Sequence, residues 1–192
     1  MLKEKLANYN IILASGSPRR QQFFKDLDIP FRIQLREIDE VYPLHLKGVQ
    51  ITDFLADLKA KAFHTIKENE LLITSDTIVW CDEQALGKPK NSEEAHQMLR
   101  KLSGKKHQVM TSVSIKSSSF QIITNDITNV YFKKLSSEEI EYYVKTYKPF
   151  DKAGAYGIQE WIGFIGIDKI EGSYFNVVGL PVHKLYEELM NL

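Results

Sequence analysis

Apolar and polar positions recur along the chain with two different periods, which separates predicted helices from predicted strands. Apolar side chains recur every three or four residues in five segments, and each of these predicts a helix. The predicted helices cover residues 17 to 27, 51 to 67, 92 to 102, 137 to 147 and 182 to 190. Short apolar or alternating runs predict strands near residues 10 to 15, 31 to 36, 71 to 80, 108 to 116, 119 to 133 and 162 to 178.

The order of these elements indicates the fold class. Strands and helices alternate at first, and a run of hairpin segments follows, with a hairpin tip at Ser117-Ser118-Ser119. Such a sequence of elements predicts an α/β fold with a mixed sheet flanked by helices, split into two lobes with a cleft between them. Clefts between lobes are common ligand sites.

Composition narrows the class of protein further. The 192 residues suit a single domain over 1–192, and 43% hydrophobic with 26% charged residues is typical of an ordinary globular protein. The formal net charge of zero argues against nucleic acid and against an anionic membrane surface as partners. The single cysteine, Cys81, excludes an internal disulfide and predicts a buried, inert thiol. With no long apolar segment in the sequence, we expect a cytoplasmic protein.

The stretch LASGSPRR, residues 13 to 20, reads as a strand-to-helix turn. Ser17 fits the helix N-cap and Pro18 fits the first helical position. Arg19 and Arg20 then lie in the first turn, where the helix dipole is positive and an acidic residue would be stabilising. Two arginines there suggest a bound anion of phosphate size. The alternative is an ordinary turn whose arginines lie on the surface.

Two charged residues interrupt apolar patterns. Lys59 falls inside the apolar stripe of the helix predicted for residues 51 to 67, so it either snorkels to solvent, which the helix alone favours, or reaches an anion. Asp76 interrupts the strand LLITSDTIVW. Because an unpaired buried carboxylate is costly, Asp76 should lie near a strand end, be hydrogen-bonded, or bind a metal or cation. Alternatively, it caps a neighbouring turn.

Other polar residues are weak candidates when each is taken singly. Lys88 lies in the turn ALGKPKN, and Glu40 ends a short acidic group with Glu37 and Asp39; both segments could simply be solvated loops. The five histidines show no metal-ligand spacing and are predicted to be structural or exposed.

Taken together and in order, these segments resemble the Maf family of nucleoside triphosphate pyrophosphatases. The resemblance rests on LASGSPRR, the acidic pair Asp39-Glu40, and the segments LKAKA, SDTIVW, LGKPKN, LSGKKHQVMTSV, DKAGAYGIQ and FNVVGLP, and it covers nearly the whole chain. It implies an inosine-triphosphatase-like fold with an elongated mixed sheet and two lobes. It also implies cleavage of a nucleoside triphosphate between the α- and β-phosphates, with a divalent cation, Mg²⁺ or Mn²⁺, as cofactor.

The resemblance also implies roles for particular residues. Ser15, Arg19 and Arg20 match the phosphate-binding motif, and the polar cluster that lines the cleft matches Glu40, Lys59, Asp76 and Lys88. Asp76 matches the family's presumed proton acceptor. Asp76 and Glu40, with the bound cation, are expected to position and deprotonate the attacking water, with Asp76 acting either as a metal ligand or as a free base. Arg19, Thr77 and Gln159 match the positions associated with substrate choice, in the pattern of the branch assigned to dTTP and UTP. Ser75, Glu160 and Trp161 depart from the residues common at their positions.

The expected activity is therefore hydrolysis of dTTP and UTP, and of modified pyrimidine triphosphates, to the monophosphate and pyrophosphate. A nucleotide-binding regulator of cell division or septum formation is the alternative. It would need the phosphate motif but not the acidic pair, and both acids are present. An RNA-binding module fits poorly with the neutral charge. A homodimer is left open.

Overall fold

The first apolar run of the chain forms β1, Asn10–Leu13, whose last three residues are buried. In the computed structural model, which describes residues 1–192, β1 lies between β2, Phe31–Ile33, and β3, Glu70–Cys81. It pairs in parallel with both. Inner parallel strands are covered on both faces, which explains why β1 and the start of β3 are continuously apolar.

Four further strands complete a seven-stranded mixed sheet. They are β4, Gln84–Leu86; β5, Lys106–Lys116; β6, Gln121–Phe132; and β7, Ile167–Glu171. The strand order is β2-β1-β3-β5-β6-β7, and β4 pairs antiparallel with β3. The Ser117 N–H donates to the Phe120 carbonyl at 2.8 Å in the turn between β5 and β6, so the predicted hairpin tip is confirmed.

Eight helices accompany the sheet. They are α1, Leu2–Lys5; α2, Pro18–Asp26; α3, Val49–Lys61; α4, Ser92–Leu102; α5, Ser137–Tyr147; α6, Trp161–Gly166; α7, Tyr174–Val178; and α8, Val182–Met190. A 3₁₀ turn covers Ala153–Ala155. The starts of α4 and α5 follow from their caps, because Asn91 and Ser136 each accept a backbone hydrogen bond from the third helical residue. The predicted mixed sheet with flanking helices is confirmed, and none of the helices has the length and apolar character needed to cross a bilayer.

Two element predictions are wrong. The strand expected at 162 to 178 is instead α6, the short strand β7 and α7, because a short apolar run fits a buried helix as well as a strand. The helix expected to reach residue 67 ends at Lys61. Phe63 and Ile66 continue its apolar pattern beyond the helix because they pack with Ile12 and Leu72 of the sheet. The elements α1 and β4 were not predicted.

The chain divides into two compact units. The first unit comprises residues 1–76, 111–126 and 179–192, and the second comprises 77–110 and 127–178. The first unit has a core of side chains from β1, α2, β3, β5 and α8, with Phe24 and Leu13 fully buried. The second has a core that includes Leu99 of α4, Tyr143 of α5 and Ile162 of α6. The single domain over 1–192 and the cleft stay predictions.

Candidate functional site

The start of α2 is built as the sequence predicted, with one difference. Ser17 is the N-cap and Pro18 the first helical residue, and no acidic side chain lies in the first turn. The Ser17 side chain makes no capping hydrogen bond. Instead the Ser17 N–H donates to the Oγ of buried Ser15 at 3.2 Å. Ser15 therefore shapes the turn that leads into the helix.

Arg20 is anchored by main-chain carbonyl groups within the first unit. Its Nε donates to the Gly179 carbonyl at 2.7 Å and its Nη1 to the Ser75 carbonyl at 2.9 Å. Burial lowers the pKa of the Arg20 guanidinium to about 10, an effect that Asp76 opposes and Arg19 adds to. The guanidinium stays charged at neutral pH. Because the two carbonyl groups fix its position, the first turn of α2 carries an immobilised positive charge.

Lys59 joins the two acidic residues predicted for the site. It lies in the last turn of α3, where its Nζ donates to Asp76 Oδ1 at 2.6 Å and pairs with Glu40 Oε1 at 2.9 Å. The Lys59 side chain is 17% exposed, that of Asp76 9% and that of Glu40 45%. Of the two readings of Lys59, reaching an anion is confirmed and snorkelling to solvent is wrong.

Asp76 lies in the middle of β3 rather than near a strand end, so that part of the prediction is wrong. Its hydrogen bond to Lys59 confirms the second alternative. Burial raises the pKa of the Asp76 carboxyl, Lys59 and Arg20 oppose the rise, and Glu40 adds to it. A carboxylate with a raised pKa is better matched to proton transfer near neutral pH than an ordinary aspartate.

Glu40 and Asp76 are the candidate metal ligands in the first unit. No group of three or more His, Cys, Asp or Glu side chains is arranged to hold a metal ion by itself. Carboxylate oxygens are nevertheless the donors that Mg²⁺ and Mn²⁺ prefer. Magnesium commonly takes one or two carboxylates and completes its ligands with substrate phosphates and water. The pair therefore fits a metal that binds together with a phosphate-bearing substrate.

Three predicted site residues belong to the second unit. Thr77 is half-buried and follows Asp76 directly in β3, and Lys88 is exposed in the turn after β4. Gln159 lies in the turn before α6, where its side-chain Oε1 is buried and has no hydrogen-bond partner. A buried acceptor without a donor is costly, which makes the Gln159 amide a candidate to accept a hydrogen bond from a ligand. The structure brings four other predicted site residues, Arg20, Glu40, Lys59 and Asp76, together in the first unit.

The sequence reasoning missed a polar cluster around Glu160. Glu160 Oε1 pairs with Lys152 Nζ at 3.1 Å, and Glu160 Oε2 accepts a hydrogen bond from the Tyr143 hydroxyl. Lys152 lies in the quoted segment DKAGAYGIQ, and Glu160 is one of the departures noted there, so both carried a signal. Tyr143 carried none, because a tyrosine on the apolar face of a helix usually reads as core.

His107 and Cys81 lie outside the candidate site and occupy structural positions. His107 is buried, with its Nε2 2.8 Å from the Tyr156 hydroxyl and its ring edge-to-face with Phe132. Burial lowers the pKa of His107 to about 4. Cys81 is a free, buried thiol whose pKa is raised, first by burial and then by nearby Asp82, which agrees with the predicted inert role.

The family model described as Maf-like protein matches residues 10–192. The chain is 60% identical over 193 residues to a dTTP/UTP pyrophosphatase of Flavobacterium johnsoniae, and the match covers 100% of both chains. It is 59% identical to a dTTP/UTP pyrophosphatase of Christiangramia forsetii, covering 100% of this chain and 98% of the relative. A protein of the same name from Phocaeicola vulgatus is 52% identical over 98% of this chain and 99% of its own.

Among solved structures, the chain resembles a HAM1 protein from Coxiella burnetii. The TM-score is 0.54 at 15% sequence identity, and the match covers 96% of this chain and 100% of the other. This likeness concerns the fold alone, and it agrees with the α/β architecture expected from the sequence.

Proposed function

The chain belongs to the Maf family, and on that premise we propose that it hydrolyses dTTP and UTP to the nucleoside monophosphate and pyrophosphate. The relatives that carry this activity in their names match the chain from end to end at 52 to 60% identity. The polar residues expected for such a site are present. Modified pyrimidine triphosphates, which share the same polar edge of the base, belong to the same proposal.

The observation that favours hydrolysis over simple binding is the contact of Lys59 with both carboxylates. A protein that only bound nucleotides would need cations for the phosphates, whereas paired acidic groups beside them would repel the ligand. Lys59 lies 2.6 Å from Asp76 Oδ1 and 2.9 Å from Glu40 Oε1, so the acids are held where a cation offsets their charge. This arrangement suits general-base chemistry next to an anionic substrate.

The first task of the site is to bind the triphosphate. The positive end of α2, the Ser15 hydroxyl and the side chains of Arg19 and Arg20 offer donors and positive charge to phosphate oxygens. Arg20 is already fixed by the Gly179 and Ser75 carbonyl groups, so little side-chain freedom is lost when a phosphate binds. The proposal also includes Lys88, in the second unit, as a cation that offsets the charge of the phosphates.

The second task is to activate water. In the proposed step Asp76 accepts a proton from a water molecule, whose oxygen forms a bond to the α-phosphorus. The bond between the α-phosphorus and the bridging oxygen breaks, and pyrophosphate leaves with that oxygen. Burial raises the pKa of Asp76, which strengthens it as a base, while Lys59 keeps the carboxylate available and oriented.

We propose Mg²⁺ or Mn²⁺ as the cofactor, held by Asp76 and Glu40 together with the substrate. When bound, the cation would neutralise developing charge on the phosphates.

Recognition of the nucleotide base is assigned to Gln159, with Arg19 and Thr77 also contributing to substrate choice. The buried Oε1 of Gln159 suits the N3–H of uracil or thymine, and its amide N–H groups suit a neighbouring carbonyl of that edge. A cytoplasmic location belongs to the same proposal, since a single unpaired cysteine suits a reducing compartment.

The test is product analysis with the purified protein. UTP, dTTP, CTP and GTP are incubated with Mg²⁺ or Mn²⁺, and monophosphate, diphosphate, phosphate and pyrophosphate are resolved. UTP and dTTP should yield the monophosphate and pyrophosphate in equal amounts. Formation of a diphosphate with free phosphate would contradict α,β-cleavage, and tight nucleotide binding without any turnover would favour the regulator of cell division.

A further inference from the structure

The turn that carries Gln159 is closed at both ends by one side chain from another element. The Glu160 N–H donates to the Gly157 carbonyl at 3.0 Å, so residues 157 to 160 form a tight turn with Gln159 in its third position. The hydroxyl of Tyr143, from α5, accepts a hydrogen bond from the Gly157 N–H at 3.0 Å and donates one to Glu160 Oε2. A single phenol therefore links the first and last residues of the turn.

Lys152 makes the same turn more rigid from a second direction. Its Nζ lies 3.1 Å from Glu160 Oε1 and 2.7 Å from Asp151 Oδ1, and its side chain is only 9% exposed. Both carboxylate oxygens of Glu160 are thus bonded. A Cβ at Gly157 would lie 2.9 Å from Glu160 Cδ and 3.1 Å from Lys152 Cε, so the ion pair closes directly over the backbone of the turn.

The far side of the turn is held by backbone packing. The Gly163 N–H donates to the Glu160 carbonyl at 2.8 Å, which starts α6 immediately after the turn. A Cβ at Gly163 would lie 1.9 Å from the Ile158 carbonyl oxygen, so only glycine allows the helix to approach this closely. The backbone on each side of Gln159 is therefore fixed by groups of the second unit.

The Gln159 side chain contrasts with its well-bonded neighbours. Its Oε1 is buried without a hydrogen-bond partner, whereas Gly157 and Glu160 have all the partners just described. We propose that Tyr143, acting through Gly157 and Glu160, is a positioning residue for base selection by Gln159. This inference rests on the proposed function, because it concerns how the nucleotide base is read. The phenol itself touches no substrate.

The test is Tyr143→Phe, which keeps the buried ring and removes only the hydroxyl that joins the ends of the turn. A loosened turn should misplace the Gln159 amide, and displacements of this kind cost much of the benefit of a matched polar contact. The ratio of kcat/KM for UTP to that for GTP should fall about tenfold, mainly through a higher KM for UTP. Glu160→Gln, a second variant that keeps an acceptor for Tyr143 but weakens the pairing with Lys152, should move the ratio in the same direction.

Tyr131→Phe is the matched control. The Tyr131 hydroxyl donates to Glu171 Oε2 at 2.7 Å, and Lys169 pairs with the same carboxylate at 2.6 Å, so this trio repeats the residue types of the Tyr143 cluster. It belongs to β6 and β7 rather than to the turn that carries Gln159. The UTP to GTP ratio should stay at the wild-type value in this control.

A double-variant comparison separates positioning from general loss of structure. In a Gln159→Ala background, adding Tyr143→Phe should leave the ratio unchanged, because the amide that the turn positions is already absent. An equal loss for UTP and GTP in Tyr143→Phe, or a further fall of the ratio in the double variant, would overturn the inference. Wild-type protein that releases no pyrophosphate would overturn the proposed function as well, whereas active wild type with an unmoved ratio would overturn the inference alone.

Discussion

Lys59 Nζ lies 2.6 Å from Asp76 Oδ1, so a lysine in the last turn of α3 is bonded to a carboxylate in the middle of a buried strand. Each residue by itself would be unfavourable at its position, because both charged groups are largely removed from water. Together, the ammonium and the carboxylate offset each other's charge. Glu40 extends the pair to a triad with one cation and two anions.

Asp76→Asn should separate nucleotide binding from chemistry. The amide has the shape of the carboxyl group but cannot accept the proton, so kcat should fall by about 10²- to 10⁴-fold. A non-hydrolysable UTP analogue should still bind to the variant. Steady-state kinetics and calorimetric titration measure the two effects.

Asp57→Asn provides the control for this change. Asp57 lies on α3, the helix that carries Lys59, and pairs with Lys61 at 2.6 Å, but it is not one of the predicted site residues. Its kcat should stay close to that of the wild type. Near-normal turnover in Asp76→Asn would remove Asp76 from the mechanism.

Arg20→Ala should weaken both substrate binding and the fold. Loss of charged hydrogen bonds to phosphate should cost about 1.5 to 3 kcal/mol of binding free energy. The Gly179 and Ser75 carbonyl groups also lose their donors, which should lower the free energy of unfolding by about 1 to 3 kcal/mol. Titration with a non-hydrolysable triphosphate at fixed salt and urea unfolding measure the two losses.

Arg32→Ala is the comparison for Arg20, since Arg32 pairs with Glu70 in the same unit while its side chain is 51% exposed. It should leave the affinity for the triphosphate unchanged. An unchanged affinity in Arg20→Ala would mean that the arginine serves the fold and not the ligand.

Gln159→Glu should lower kcat/KM for UTP and dTTP relative to GTP. A carboxylate cannot donate a hydrogen bond to a uracil or thymine carbonyl group, whereas it can accept the two adjacent donors of guanine. A lost polar contact in a closed pocket costs about 1 to 3 kcal/mol, so the selectivity should change about tenfold or more. Competition between UTP and GTP in one reaction measures the ratio.

Gln108→Glu makes the same chemical change at β5, where Gln108 bonds to Asn129 at 3.2 Å. This variant should keep the wild-type ratio. If Gln159→Glu also keeps it, Gln159 does not contact the base.

Protein stability should fall between about pH 7 and about pH 5 because of His107. Burial lowers the pKa of His107 in the folded protein to about 4 from an unfolded value of 6.5. The folded state therefore favours the neutral ring, so its contribution is present above the unfolded pKa and is lost as the pH falls towards the folded pKa. Over this interval the loss should be about 2 kcal/mol of unfolding free energy.

Urea unfolding of wild type and of His107→Gln at the two pH values measures this contribution. The glutamine can still bond to the Tyr156 hydroxyl but has no proton to gain. The wild type should lose about 2 kcal/mol more than the variant over the interval. Equal losses in the two proteins would show that His107 does not cause the pH dependence.

The sequence by itself determined most of the fold, because local patterns decide local structure. The caps at Asn91 and Ser136 define where α4 and α5 begin, and the apolar runs of β1 and β3 define inner strands. The segment 162 to 178 was read wrongly as a strand because its helices are short, and only packing decides between a short buried helix and a strand.

Residue types and their order also determined the candidate site, whereas the tertiary structure decided what each residue touches. From α3 alone, snorkelling of Lys59 to solvent is the favoured prediction, and only the packing of α3 on β3 brings its Nζ to Asp76. From its position in the turn, Arg20 is predicted either to bind an anion or to lie on the surface. Only the tertiary structure shows its hydrogen bond to the Gly179 carbonyl, 159 residues away in the chain. The Tyr143 hydroxyl had no sequence signal at all. Such contacts join residues far apart in sequence, so no local pattern can specify them.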